Sequence, residues 1–314
     1  MAIRNDNEEH HLDLDFALRS VVMLQAKIPE DGFTAEGLGT ERAGSGVVIR
    51  EDGLVLTIGY LITEAQDVEL TTFDGRTVPA HPIAYDQETG FGLVQAMGDL
   101  NLPAMPLGQS ADAEPGDRVI LAAGGRDNFV RSTLMAKQEF AGYWEYLLDE
   151  ALFIAPAHKF WGGAALMDQA GKLIGIGSLL VQQETRKGAV EDLNMVVPID
   201  LLPPILDELL AHGQTLKPPR PWLGVFSAEN NGQILVASVA GRGPAAAAGL
   251  QQGDIVRAIG DTEVEDLTEL YRKLWSCGPA GTEIPLEIIR DGRSRWLRIK
   301  SANRASMLRK PHFH

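Results

Sequence analysis

From Phe16 to Gly213 the chain alternates short β-branched and apolar runs with turn dipeptides at Asp52-Gly53, Asp74-Gly75, Pro115-Gly116 and Ala170-Gly171. Short strands at such spacing, with few long helical periods, fit an all-β sandwich or a pair of barrels. One segment departs from the pattern: LLPPILDELLAHG repeats apolar residues at helical spacing and ends on a glycine stop. Thr215 to Pro221, TLKPPRP, then breaks the chain, because its three prolines have no amide to donate to helix or ladder. Beyond this linker, to about Ala302, the order is strand, strand, short helix, strand, helix, strand, strand. The predicted organisation is a flexible leader at 1–15, a mainly β domain at 16–213, a linker at 214–220, a smaller α+β domain at 221–302 and a tail at 303–314.

Composition narrows the function classes. A chain of 314 residues can bury two or three cores. Its formal net charge of -15 argues against nucleic acid or anionic lipid as a partner, since both need clustered Lys and Arg. Cys277 is the sole cysteine, so no intramolecular disulfide forms. The first twenty residues lack an apolar run behind a basic start, and no stretch approaches the ~20 apolar residues of a membrane span. The expectation is a cytoplasmic protein without a membrane span, or a periplasmic one if a leader has been removed. No HxxxH, HExxH or paired carboxylate cluster is present, and neither metal nor cofactor is expected.

Six segments in one order carry a resemblance. GSGVVI (Gly44 to Ile49), DGLVLTIGYLI (Asp52 to Ile62), DVELTTFDGRTVPAHPIAYDQETGFGLVQ (Asp67 to Gln95), LGQSADAEPGDRVILAAG (Leu107 to Gly124), WGGAALMDQAGKLIGI (Trp161 to Ile176) and NMVVPIDLLPPILDELLAHG (Asn194 to Gly213) resemble the protease domain of the HtrA/Deg family. RPWLGV (Arg220 to Val225), GPAAAAGLQQGDIVRAIGDTEVEDLTELYRKLW (Gly243 to Trp275) and EIPLEIIRDGRSRWLRIK (Glu283 to Lys300) resemble the PDZ module attached to such proteins. The resemblance implies a trypsin-like double β-barrel followed by a PDZ domain, and assembly as a homotrimer through the N-terminal part of the protease domain.

At the three triad positions of that family the chain differs. The histidine falls on Tyr60, two residues after Ile58, which stands for an asparagine. The aspartate falls on Gly90. The serine falls on Gly162, or on Trp161 if the register slips by one. A phenol with a pKa near ~10 is a poor base at neutral pH, glycine cannot orient a base, and no attacking hydroxyl remains. Asp86 matches an upstream turn former. The oxyanion hole is in doubt too, because Phe160 stands where the family has a glycine, and the two aromatics Phe160 and Trp161 replace small residues. The alternative is a serine endopeptidase with an unorthodox site, for which Ser178 and His158 are the available pair, although no acidic orienter accompanies them. His81 reads as an outer-surface residue. His10, His11, His312 and His314 read as solvated ends.

In the second domain, successive amides of Trp222, Leu223 and Gly224 are expected to line a concavity for a terminal carboxylate, with Val225 and Phe226 presenting the strand edge that an extended peptide joins. Arg220 is expected to add long-range attraction, and Leu267, Leu270 and Leu274 to line the side-chain pocket or simply the core. These features imply a catalytically inactive relative that binds peptides or protein C-termini, as scaffold, chaperone-like factor or regulator, alone or with an active paralogue. A purely structural subunit with a filled pocket is the third possibility.

Overall fold

The structure, a computed structural model, describes residues 14–184 and 188–309. His10, His11, His312 and His314, and most of the predicted leader, lie outside the described residues. After a short helix α1 (Leu14–Arg19), six strands close a first barrel: β1 (Val21–Lys27), β2 (Glu41–Val48), β3 (Leu54–Ile58), β4 (Asp67–Thr71), β5 (Thr77–Tyr85) and β6 (Phe91–Ala96), in the order β1-β2-β3-β6-β5-β4. Closure leaves no free edge. Strand β1 alternates buried and exposed residues, whereas every residue of β3, LVLTI, is buried. The Asp52-Gly53 and Asp74-Gly75 turns place their glycines at φ 84° and 88°, in the left-handed region that glycine enters without a Cβ penalty. A one-turn helix α2 (Ala35–Leu38) lies in the β1–β2 connection.

The second barrel is built from β7 (Arg118–Ala122), β8 (Phe129–Gly142), β9 (Tyr146–Ala155), β10 (Ala165–Met167), β11 (Leu173–Glu184) and β12 (Val190–Pro198), in the order β10-β11-β12-β9-β8-β7. Its interior is filled by Leu121, Leu134, Leu152, Ile154, Leu166, Ile174 and Val196. The predicted helix is α3 (Pro203–His212), with proline in its first turn, Ile205 and Leu209 buried, and Gly213 ending it at φ 69°.

A second compact unit comprises residues 215–309 together with residues 139–150, the tip of the β8–β9 hairpin. Sequence reasoning had included those twelve residues in the 16–213 segment. The unit's sheet runs β13 (Val225–Asn230), β14 (Gln233–Val239), β15 (Ile255–Ile259), β17 (Glu283–Arg290) and β18 (Arg293–Lys300), with β16 (Thr262–Glu263) pairing β15. Strand β13 is therefore an edge. Helices α4 (Pro244–Ala247) and α5 (Leu267–Ser276) complete it. Asp266 caps α5 by accepting a hydrogen bond from the Glu269 amide at 2.8 Å. Leu267, Leu270, Tyr271 and Leu274 turn inward and join Ile234, Val236, Val256, Ile284 and, from the hairpin, Leu147 in one core. Among the described residues, no helix is long and apolar enough to cross a membrane.

Candidate functional site

At the end of β3 the chain enters a single turn of 3-10 helix, Gly59–Leu61, which sets Tyr60. Its phenol donates a hydrogen bond to the Ser178 carbonyl at 2.9 Å. Burial pushes the phenol well above its usual pKa, and a hydrogen bond with the Trp161 side chain works weakly against this. A phenol shifted in this direction is a poor base at neutral pH. A Cβ added to Gly162 would lie 2.8 Å from the Tyr60 hydroxyl oxygen, so the phenol stands in the space that a nucleophile's side chain would need. Gly162 in turn accepts from the Ser45 amide at 2.8 Å, which fixes the loop against β2.

Gly90 adopts φ 81°, a left-handed conformation. Asp86, four residues earlier, accepts from both the amide and the hydroxyl of Thr89 at 2.8 Å and acts as a turn former. The loop before Gly162 corrects one expectation about the oxyanion region. The Phe160 ring is 52% exposed, with the Lys159 ammonium 4.9 Å from its centroid, and it does not fill the site. What it withholds is its amide, which donates to Nδ1 of His158 at 2.9 Å. One of the two amides needed for an oxyanion hole therefore serves the loop itself. His158 is buried, its amide donates to Asn194 at 2.6 Å, and burial lowers the pKa of its ring. No hydrogen bond joins the His158 ring to the Ser178 hydroxyl among the described residues, so the candidate dyad is not assembled. His81 is half-buried on β5. No cluster that could hold a metal ion occurs among the described residues.

Sequence reasoning missed the support beneath Tyr60. Arg42, 6% exposed, donates to the Tyr60 carbonyl at 2.7 Å, to the Thr63 carbonyl at 3.1 Å and to the Thr34 hydroxyl at 2.8 Å. Glu64 accepts from the Phe33 and Thr34 amides at 2.9 and 2.7 Å. Burial pulls the guanidinium down to about 10, against the raising effect of the Glu64 charge. This buried polar network ties the β1–β2 connection to the turn that carries Tyr60.

In the second unit, the amides of Leu223, Gly224 and Val225 converge on one carboxylate. It belongs to Glu145, at the tip of the β8–β9 hairpin, with distances of 3.0 Å from Leu223, 2.7 Å from Gly224 and 2.9 Å from Val225. The nest is thus shifted one residue from its expected place. The Trp222 amide instead donates to the Ala302 carbonyl at 3.0 Å. Gly224 needs its identity: φ is 80°, and an added Cβ would lie 2.9 Å from the Trp222 ring. Arg220 lies over the Trp275 ring at 4.2 Å, a cation–π contact that accounts for its orientation better than attraction to a ligand. Phe226 packs near the Tyr143 ring, with centroids 6.2 Å apart. Beneath Glu145 lies an apolar cavity of about 20 Å³, lined by Val225, Leu250, Val256, Leu270 and Leu274 among others. Leu267 does not line it and belongs to the core. Burial pushes the Glu145 carboxyl up to about 7, outweighing the three amide donors and the charge of Arg304.

Comparison with known proteins agrees with both halves. Residues 44–176 match the trypsin-like peptidase domain and residues 221–300 the PDZ domain. A probable periplasmic serine endoprotease DegP-like from Halomonas elongata is 28% identical over 280 residues, covering 83% of this chain and 57% of that protein. The DegP-like protein of Pseudomonas savastanoi pv. phaseolicola is 30% identical, covering 83% and 56%. The chain thus spans little more than half the length of these curated relatives. Among solved structures, an HtrA-type protease, AlgW, with a decapeptide aligns at TM-score 0.52 and 23% identity over 95% of this chain and 98% of that one. A serine endoprotease from Yersinia pestis aligns at TM-score 0.51, covering 92% and 96%. At such identity these two alignments bear on the fold.

Proposed function

Because the chain belongs to the HtrA/Deg family, with a trypsin-like domain followed by a PDZ domain, we propose that it is a non-catalytic member that binds free C-termini of peptides or unfolded segments through the Leu223–Val225 loop. The observation that carries this reading is the convergence of three backbone amides on one carboxylate, the chemistry that recognition of a chain end requires. One solved structure of the same fold is that of an HtrA-type protease, AlgW, with a decapeptide. The degenerate triad supports the loss of proteolysis, since Tyr60 and Gly162 leave neither base nor nucleophile.

In this reading the protein serves as a scaffold, chaperone-like factor or regulator, as a homotrimer or in assembly with an active paralogue. The names of its bacterial relatives favour the periplasmic alternative over the cytoplasmic expectation. Purified protein should neither cleave casein nor label with a fluorophosphonate. Stoichiometric labelling of Ser178, abolished by His158→Ala, would restore the endopeptidase reading.

A further inference from the structure

The carboxylate held at Leu223–Val225 is the chain's own, and we propose that the tip of the β8–β9 hairpin is an internal ligand that a free C-terminus must displace. The proposal rests on the reading that this loop binds terminal carboxylates. The hairpin reproduces two contacts of an extended peptide joining a sheet edge. Its Glu145 carboxylate occupies the amide nest, and the Ser227 amide on edge strand β13 donates to the Tyr143 carbonyl at 2.8 Å. Helix α5 holds the opposite flank: the Tyr271 hydroxyl donates to the Gly142 carbonyl at 2.7 Å, and Thr268 to Glu139 at 2.7 Å. Glu145 adopts φ 59° in a three-residue hairpin loop, at a position where glycine or asparagine is usual. Its carboxylate contacts offset the strain of a longer side chain there.

The internal ligand also leaves something unmatched. Glu145 reaches the nest through an unbranched side chain. A true terminal residue carries its own side chain on the atom next to the carboxylate and would direct it into the apolar cavity below. Ser227, fully buried at that cavity, has the hydroxyl that lacks a hydrogen-bond partner among the described residues. A competitor ending in a small apolar residue therefore gains contacts that the hairpin does not make. Discrimination resides in that residue, while the carboxylate contacts are exchanged like for like.

The test uses the full chain and a fluorescent decapeptide ending in valine, as free acid and as C-terminal amide, titrated by anisotropy against wild type, Glu145→Gly and Glu145→Gln. Glycine suits the left-handed position, and glutamine keeps the size should the glycine variant fail to fold. Releasing the internal ligand should tighten binding of the acid by about tenfold in both variants, the factor for a competent state roughly a tenth populated in wild type. The amide should bind weakly to all three proteins. Equal affinity of wild type and folded variants for the acid, or tighter binding by wild type, overturns the internal ligand while leaving the carboxylate-binding reading intact. Equal affinity for acid and amide, or binding of neither by a released variant, overturns that reading and this proposal with it.

Discussion

A serine at position 162 is not expected to confer proteolysis by itself. Its Cβ would approach the Tyr60 hydroxyl to 2.8 Å, and the Phe160 amide of the oxyanion region is already bonded to His158. Gly162→Ser should show no turnover of casein and should cost about 1–3 kcal/mol in urea unfolding, the usual range for overpacking. The triple change Tyr60→His, Gly90→Asp, Gly162→Ser should also stay inactive, because aspartate at φ 81° is strained and triad members act as a unit. Measurable turnover by either protein would refute this account of the cleft. Glu145 carries a second consequence. Its carboxyl lies near 7, above the ordinary glutamate value, with Tyr271, Arg304 and the three amides as its surroundings. A raised folded-state pKa contributes stability in full below the unfolded value, and that contribution is lost as pH rises through about 7. Wild type should therefore melt progressively lower relative to Glu145→Gln between about pH 5 and pH 8. A pH-independent difference would show that the carboxyl titrates normally.

The carboxylate loop behaves as an element whose backbone shape and ligand chemistry cannot be separated. Gly224→Val places a β-branched residue at φ 80° against the Trp222 ring. It should abolish peptide binding and also destabilise the protein by about 1–2 kcal/mol, so a thermal melt must accompany the titration. Unchanged stability would contradict the geometry. Arg220→Ala should lose the contact with Trp275, worth about 0.5–1 kcal/mol at exposed sites, and leave acid–amide discrimination in place. The loop itself was legible in RPWLGV through its resemblance to the carboxylate-binding loop of PDZ modules, though the amides that converge lie one residue later than the motif suggests. Tyr60, Gly90 and Gly162 were legible only through the flanking segments that resemble the HtrA/Deg family, TIGYLI, YDQETGFGLVQ and WGGAAL, which mark where its triad falls. Glu145 was not. AGYWEYLL contains no glycine or asparagine at its left-handed position to mark the turn, and the amides that claim its carboxylate lie 78 to 80 residues further along the chain. Arg42 was hidden for the same reason, since burial of a guanidinium depends on carbonyls supplied from Tyr60 and Thr63.

For the molecule as a whole, the two domains were predictable as types. Regular short strands indicate a sandwich or a pair of barrels, a choice that the family resemblance narrows to barrels, and the change of rhythm after TLKPPRP indicates a separate sheet with two helices. Residues 139–150, which the sequence assigns to the first domain and which lie within the trypsin-like match, also group by contacts with the second unit, a grouping made by residues far along the chain that their own sequence does not mark. If the homotrimer proposed above forms, light scattering of the purified protein should report about three times the mass of one chain, and a single-chain mass would exclude it. A tethered occupant also changes how the protein responds to concentration. Glu145 never dilutes: joined to its site by the chain, it competes at an effective concentration of order millimolar, whatever the amount of protein. Free chain ends must therefore be about tenfold more concentrated to fill the loop than if it stood open, so that a local crowd of them is registered where scattered ones are not.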